Sequence, residues 1–425
     1  MERKASKNII QGNILSFKNI IIVCFVFYFF YLNTYESVGW ICEYFFGDLF
    51  YIDNAVFLAV NIFLFCAVYY YLLKRKINLK IVGIMLFLII LTIPTLITYG
   101  VSEAYFNSIY LPLLKILFVF APLMYCAIYV DEKKTILYFT KLRWIMLILI
   151  IISFFVLKNY EYIFSAKQVL SYNSALVSIL FVIELKINRN NRLIEIMNLV
   201  GAGTSYVLCV LFGSRGAILS ATSTIILVIL LTNKNKKALL FSILSIIIVI
   251  MLFFILKDKI VDVILRYDPD SRLAYYLSNG GFFDAEGRNE YYTYLLSIIK
   301  KNYLAINGLF SDRLLLQTEF GEITYAHNIL LEFVIDYGIV FGFIFATILI
   351  WKLIKYFISK KHDIYSMIFI LIFIPKGIML LFSGSYLTCA DFFVLLAILF
   401  LRKQENDNNM LLREKSESAD SLKII

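Results

Sequence analysis

Charged residues and histidines are scarce in this sequence. Only 16% of the 425 residues are charged, whereas a soluble domain carries about a quarter, so water alone cannot be the solvent of this chain. The two histidines, His327 and His362, fall on opposite sides of the topology predicted below, which excludes a multi-histidine metal site. The six cysteines are scattered without a C-x-x-C pair, and they indicate packing residues and not a disulfide framework.

Long apolar runs dominate what is present. Hydrophobic residues make up 61% of the chain, and they fall in runs of roughly 17 to 25, the length that crosses a bilayer as a helix. The predicted fold class is an all-α polytopic integral membrane protein with about twelve transmembrane helices. The predicted spans are 18–34, 54–73, 81–98, 111–130, 144–160, 172–186, 193–212, 216–232, 238–256, 328–351, 364–382 and 386–401.

The basic residues indicate how these helices are oriented. With the N-terminus inside, the inner segments hold 27 of the 40 lysines and arginines, as the positive-inside rule requires. We therefore expect both termini in the cytoplasm, and we attribute the net charge of +10 to orientation, with no nucleic-acid partner. No small-residue cleavage site follows the first apolar run, which predicts a retained span. Residues 1–401 are expected to form one transmembrane domain, and 402–425 a polar cytoplasmic tail.

One outer loop differs from the others. Residues 257–326 contain 18 charged residues, whereas the other outer loops are short and nearly uncharged. Within this loop, 272–277 and 290–302 mix aromatic and aliphatic residues with charges, which predicts amphipathic helices at the membrane surface. Chemistry outside the cell membrane is therefore expected in or beside this loop.

The motif Gly213-Ser214-Arg215-Gly216 stands between two apolar runs, where the chain must turn sharply. An arginine at the centre of a span costs about 2.5–3.5 kcal/mol, and less near the span's end, so this one invites a functional reason. The glycines let backbone N–H groups converge, and the guanidinium can direct two donors at a phosphate or carboxylate. The motif predicts anion binding at the outer face; the alternative is an arginine that pairs with lipid phosphates.

A second motif, His327-Asn328, opens the span predicted at 328–351. His327 could donate to an anion at the helix N-terminus or take part in proton transfer, and the alternative is a structural histidine. Glu332 and Asp336 follow four residues apart on one face of the helix. Because carboxylates are costly against lipid, we expect both to face the interior of the bundle.

A third motif, Gly287-Arg288, lies in the long loop before a predicted amphipathic helix. An isolated arginine in a polar loop is usually just solvated. A functional role for Arg288 is nevertheless favoured, because Arg215, Arg288 and His327 are all predicted on the outer face. Together these three side chains could surround one anionic group.

These motifs resemble the O-antigen ligase and polymerase family of bacterial membrane enzymes. The family's signature is a Ser-Arg-Gly-Ala turn, a Gly-Arg in the long outer loop and a His-Asn that opens the next span. The matching motifs, in the same order, are Ser214-Arg215-Gly216-Ala217, Gly287-Arg288 and His327-Asn328. The resemblance covers roughly 193–351, and it departs at Tyr291 and Tyr292, which stand where a tryptophan commonly follows the loop arginine.

The resemblance implies a fold similar to that of the membrane glycosyltransferase C-type superfamily and glycosyl transfer at the outer face of the cytoplasmic membrane. The implied donor is an undecaprenyl-diphosphate-linked oligosaccharide and the acceptor a sugar hydroxyl, with no cofactor and no metal. Arg215, Arg288 and His327 would bind the diphosphate and stabilise its departure. The acceptor hydroxyl would also need a base, and the candidates are Asp284, Glu286, Glu290 and Glu332.

Three functions stay open. We favour a polymerase that joins lipid-linked repeat units into O-antigen or capsular polysaccharide, because the span count, the dominant loop and the aromatic-rich sequence resemble that group. The alternative within the family is a ligase that moves the glycan onto lipid A core. A flippase for the same lipid-linked oligosaccharide is the alternative of another class; Lys376 and Asp391 could line its path, although matched halves are missing. Expected partners are membrane lipids, a chain-length regulator and a flippase.

Overall fold

The protein is described here by a computed structural model, in which most of the chain is helical. It describes residues 2–46, 79–99, 109–157, 164–188, 191–232, 255–267, 271–279, 288–321, 324–360 and 363–402, with isolated residues between some of these ranges. Within them there is no β-strand, and 8 helices are long and apolar enough to cross a membrane. The prediction of an all-α polytopic membrane protein is confirmed.

The apolar helices are joined by a set of shorter helices between Thr232 and Ile329. In chain order the helices are α1 (Glu2–Phe46), α2 (Leu79–Tyr99), α3 (Leu111–Tyr129), α4 (Glu132–Leu157), α5 (Phe164–Ile187), α6 (Arg192–Leu211), α7 (Arg215–Thr232), α8 (Lys257–Tyr267), α9 (Arg272–Asn279), α10 (Arg288–Lys301), α11 (Ser311–Phe320), α12 (Ile329–Ser359), α13 (Ile364–Met379) and α14 (Ala390–Leu401).

Ten of the twelve predicted spans coincide with apolar helices, and the other two, 54–73 and 238–256, lie outside the described residues apart from isolated positions. The first predicted span is too short, because α1 continues to Phe46. Its polar residues Asn33 and Thr34 are buried and donate back to carbonyls one turn earlier, so they do not end the helix. The last predicted span is interrupted, because a 3-10 turn, Tyr386–Thr388, precedes α14.

The described part of the long loop is largely helical. The two amphipathic helices predicted at 272–277 and 290–302 are present as α9 and α10. Two further helices, α8 and α11, were not predicted. Of these, α11 carries the buried charged residues Asp312 and Arg313, which become important below.

Side-chain caps define where three helices begin. Asn191, Asn328 and Asp363 each accept backbone N–H groups from the first turn of α6, α12 and α13, at 2.9 to 3.2 Å. Such a cap stabilises a helix by about 1 kcal/mol. Asn328 of the His-Asn motif therefore has a structural function that its place in the motif did not indicate.

An aromatic cluster holds α13 inside the bundle. The ring centroid of Phe29 on α1 lies 4.4 Å from that of Phe139 on α4 and 5.6 Å from that of Phe373 on α13. Phe25 packs against the same group, 6.1 Å from Phe373. Pairs of this kind stabilise a core by about 0.5–1.5 kcal/mol beyond their buried area. These contacts hold α13 against α1 and, through Phe29, connect it to α4.

The longest described span, α12, is broken at Gly338, where φ is 77° and ψ is 161°. The break frees carbonyl oxygens, and the chain after α10 supplies donors for them. Asn307 Nδ2 donates to the Ile335 carbonyl at 3.0 Å, and Gly308 N donates to the Asp336 carbonyl at 3.1 Å. The connection between α10 and α11 is thus inserted at the break and places α11 against α12.

We predict that Gly338→Ala destabilises the protein by about 1–3 kcal/mol, because only glycine adopts this backbone conformation readily. An added Cβ would also lie 3.0 Å from the Ala305 carbonyl oxygen. The thermal unfolding midpoint of the purified protein in detergent measures the effect. Gly83→Ala is the matched control, since a Cβ at Gly83 of α2 meets nothing within 4 Å. Equal midpoints for Gly338→Ala and the unaltered protein would contradict this account of the break.

Candidate functional site

Arg215 is the first residue of α7, and two contacts help to set its position. Its guanidinium carbon lies 4.0 Å from the centroid of the buried Tyr276 ring on α9, a cation–π contact. The next residue, Gly216, packs on Tyr172 of α5 so closely that a Cβ would lie 2.4 Å from the tyrosine hydroxyl. The turn before α7 is therefore held between α5 and α9.

Tyr172 connects this turn to the second arginine. Its hydroxyl lies near Ser214 and Ser383, and the charge of Arg288 acts on it. On the other side, Lys376 Nζ of α13 lies 5.3 Å from the centroid of the Tyr172 ring. The Arg215 turn and Arg288 are thus at the same end of the bundle, because Tyr172 packs against Gly216 and Gln168 on the same helix donates to Ser383, next to the Phe382 carbonyl that Arg288 binds.

Arg288 and Asn328, the residue after His327, donate to neighbouring carbonyls of the segment that follows α13. Arg288 begins α10, and its Nη1 donates to the Phe382 carbonyl oxygen at 2.5 Å. Its charge acts on His327 and on Tyr325, whose ring centroid is 4.1 Å from that of the imidazole. The structure brings together two of the three residues that the sequence placed around one anion; Gly287 of the same motif lies outside the described residues.

The imidazole of His327 is uncharged at neutral pH. Burial and, secondly, the positive charge of Arg288 lower the pKa of His327 to about 4. Its Nε2 lies 3.3 Å from Thr324 Oγ1, whereas the buried Nδ1 has no hydrogen-bond partner among the described residues. The backbone φ is 55°, which is uncommon for a residue other than glycine. A neutral imidazole can accept a proton from a hydroxyl, but it cannot act as a cation.

The start of α12 docks on the segment that follows α13. Ile329 N donates to the Leu380 carbonyl at 2.9 Å, and Asn328 Nδ2 donates to the Leu381 carbonyl at 3.2 Å. These bonds form directly after His327 in the chain. The histidine is therefore fixed relative to the end of α13.

Glu332 and Asp336 are both fully buried, at 0% exposure, and so face the interior of the bundle as expected. Ser385 Oγ donates to one oxygen of Glu332, and the backbone N–H of Tyr386 donates to the other at 3.2 Å. The Tyr386 hydroxyl donates to Asp336 Oδ2 at 2.8 Å. Both carboxylate oxygens of Glu332 are thus engaged in hydrogen bonds.

Two charged residues of α11 belong to this site and were not predicted. Arg313 is buried, and its Nη2 donates to Ser385 Oγ at 3.2 Å. Asp312 is fully buried, and its Oδ2 accepts the backbone N–H of Ala326 at 2.8 Å, immediately before His327. Burial raises the pKa of the Asp312 carboxyl above its usual range.

A sequence signal for these two residues did exist. Asp312 and Arg313 stand between the apolar pair 309–310 and the leucines at 314–316. Charges inside an apolar run are costly when buried, and they need partners. The signal was missed because only 272–277 and 290–302 were interpreted as helices of this loop.

The remaining acidic candidates have other positions. Glu290 is exposed on α10, on the first turn after Arg288. Asp284 and Glu286 lie outside the described residues. In the part of the chain that the structure describes, no group of three or more His, Cys, Asp or Glu residues is arranged to hold a metal ion.

The region that contains these residues also matches a known family. Residues 200–347 match the family model described as O-antigen ligase. This match confirms the resemblance to the O-antigen ligase/polymerase family, and Arg215, Arg288, His327 and Glu332 all fall inside it. Members of this family are enzymes that act on lipid-linked glycans. No curated protein and no solved structure matches the chain.

We predict that His327 stays neutral down to about pH 5, because its pKa is lowered to about 4 from the ordinary value of 6.5. As the pH falls from 6.5 towards 4, the unfolded chain binds a proton that the folded protein does not, so stability decreases. NMR titration of protein labelled in histidine measures the pKa, and His362→Gln leaves His327 as the single signal. Titration of that signal near pH 6.5 would contradict the burial described here.

Proposed function

We propose that the protein is a membrane glycosyltransferase that polymerises polyprenyl-diphosphate-linked oligosaccharide repeat units on the outer face of the cytoplasmic membrane. The observation that carries this proposal is that Arg288 and Asn328, the residue after His327, donate to neighbouring carbonyls at one end of the bundle. Helix α5 links the Arg215 turn to the same segment, because Tyr172 packs against Gly216 and Gln168 donates to Ser383. The family match supports a lipid-linked oligosaccharide as the substrate.

The arrangement suits a diphosphate leaving group. Arg288 has five N–H donors, of which the Phe382 carbonyl takes one, so others can reach phosphate oxygens. The N-termini of α7, α10 and α12 begin at or beside Arg215, Arg288 and His327, and helix N-termini favour anions. Charge that develops on the departing diphosphate is therefore stabilised by fixed donors.

His327 is the group best placed to take the proton. In the proposed step the acceptor hydroxyl oxygen attacks the anomeric carbon, the bond from that carbon to the diphosphate breaks, and the hydroxyl proton passes to the imidazole. Glu332 is engaged through both oxygens, and Glu290 is exposed. Of the two roles that the sequence left open for His327, we therefore assign it proton transfer and not binding of the diphosphate.

The products are a lengthened glycan and a polyprenyl diphosphate. The other activity within the family is transfer of the finished glycan to lipid A core. Deletion of the gene separates the two, because a polymerase deletion leaves single repeat units on the surface, whereas a ligase deletion leaves long lipid-linked chains. A chain-length regulator and a flippase are proposed as the partners of a polymerase.

A flippase would use a polar path through the bundle. Lys376 and Asp391 do lie together there, beside Tyr172 and Asn33. The cavity that they line measures about 10 Å³, which is room for about one water molecule. A cavity of this size cannot hold a sugar, so it lends no support to an oligosaccharide path at this position.

The experiment that tests the proposal uses purified protein in detergent or vesicles with a lipid-linked repeat unit. Lengthening of the glycan without ATP, nucleotide-sugar or added metal is the expected result. Movement of the lipid-linked unit across the bilayer without lengthening would overturn it in favour of the flippase.

We predict that Arg215→Ala and Arg288→Ala each lower the rate of lengthening by about 100-fold or more, because loss of one donor to a developing charge has an effect of about this size. Arg215→Lys is expected to fall between, since lysine keeps the charge but loses the two-pronged donor. Arg266→Ala, an exposed arginine of α8, is the matched control. If either alanine variant inserts normally and keeps its full rate, the arginine roles are wrong.

A further inference from the structure

The segment 380–385, between α13 and the turn Tyr386–Thr388, receives hydrogen bonds from several helices that surround the site. Its carbonyl groups accept the two hydrogen bonds from the start of α12 and the hydrogen bond from Arg288. Its Ser383 hydroxyl accepts a bond of 3.2 Å from Gln168 of α5. The segment lies outside the residues that match the family model, 200–347. Its place in the site therefore rests on its geometry alone.

One serine fixes the far end of this segment. The Ser385 hydroxyl accepts a hydrogen bond from Arg313 Nη2 at 3.2 Å and donates one to Glu332. All three side chains are buried, with Ser385 1% exposed. The neighbouring Tyr386 N–H donates to the second oxygen of Glu332 at 3.2 Å. The bond directions form a continuous chain from arginine to serine to carboxylate, in which the serine hydroxyl both accepts and donates.

We propose that Arg313, Ser385 and Glu332 form a clasp that fixes the segment 380–385 and so sets where the Phe382 carbonyl holds the guanidinium of Arg288. This inference rests on the proposed role of Arg288 in binding the diphosphate. The three clasp residues are positioning residues. In this proposal Glu332 holds the segment 380–385 in place. It does not act as the base, a role for which the sequence made it one candidate.

Arg288 needs such a clasp because its guanidinium must be placed precisely to bind the diphosphate. A long, flexible side chain can point its donors in many directions, and each hydrogen bond to a fixed acceptor removes some of that freedom. The Phe382 carbonyl is such an acceptor only while its segment is held. Misplacement of a binding group by about 1 Å can lower a rate by about 100-fold. The clasp therefore acts on the diphosphate site from the interior of the bundle.

A double-mutant cycle in the full-length protein tests the clasp. The variants are Ser385→Ala, Arg288→Ala and Arg215→Ala, alone and combined, and the readouts are affinity for undecaprenyl diphosphate and the rate of glycan lengthening. We expect Ser385→Ala to weaken binding by about tenfold, because a displaced Phe382 carbonyl would leave the Arg288 guanidinium misplaced. In the Arg288→Ala background, Ser385→Ala should cause little further loss, because the arginine that the clasp positions is gone. In the Arg215→Ala background it should cause its full loss.

Ser366→Ala is the matched control. Ser366 is also a buried serine that donates to a glutamate, Glu132, but at the opposite end of α13. It should leave affinity and rate unchanged. A loss as large as that of Ser385→Ala would mean that any buried serine of this kind matters, and it would overturn the clasp.

Glu332→Gln and Glu332→Ala separate positioning from catalysis. Glutamine keeps the size of the side chain and one acceptor oxygen, so it should retain much of the affinity and rate that alanine loses. If Glu332→Gln binds undecaprenyl diphosphate normally but is as slow as Glu332→Ala, then Glu332 is a base and the clasp is wrong. Additive losses for Ser385→Ala and Arg288→Ala also overturn it. If the binding cycle behaves as expected but no glycan is lengthened, the clasp holds and the proposed glycosyltransferase activity fails.

Discussion

A carboxylate inside an apolar helix bundle must receive hydrogen bonds, and Glu332 receives them from Ser385 and Tyr386. Leaving a buried carboxylate without donors would cost several kcal/mol. Because those donors come from the chain after α13, the start of α12 cannot be placed independently of that chain. Two site residues depend on this requirement. His327 directly precedes Asn328, which caps α12, and Arg288 is bound to the Phe382 carbonyl.

The break in α12 at Gly338 meets a second requirement. Helices of the long loop can reach the interior of the bundle only if their backbone groups find partners there. At the break, the freed carbonyl oxygens of α12 act as acceptors, and Asn307 and Gly308 of the loop donate to them. This docking places Arg313 and Asp312 beside α12. The loop thus contributes charged groups to the interior, in addition to the arginine at the start of α10.

The sequence predicted the membrane fold and the residues that lie at the site more fully than it predicted how they are held. Hydropathy and charge locate ten described apolar helices, because apolar length and charge asymmetry act locally along the chain. Arg288 and Asn328, the residue after His327, donate to neighbouring carbonyls, whereas the function predicted for Arg288 and His327 stays a prediction. Arg313, Ser385 and the role of Glu332 were not accessible, since they depend on which distant segments dock. Ser385 in particular stood just outside the predicted span 386–401, so that its junction with Tyr386 was treated as an ordinary helix end.

The central claim is that the clasped end of the bundle is an anion site for a lipid-linked diphosphate. An experimental structure of the purified protein with undecaprenyl diphosphate tests it most directly. The account predicts phosphate oxygens about 3 Å from the guanidinium nitrogens of Arg288, with the Phe382 carbonyl still bound to the same side chain and Arg215 facing the diphosphate from the start of α7. A diphosphate bound elsewhere, for example between Lys376 and Asp391 in the bundle, would contradict it.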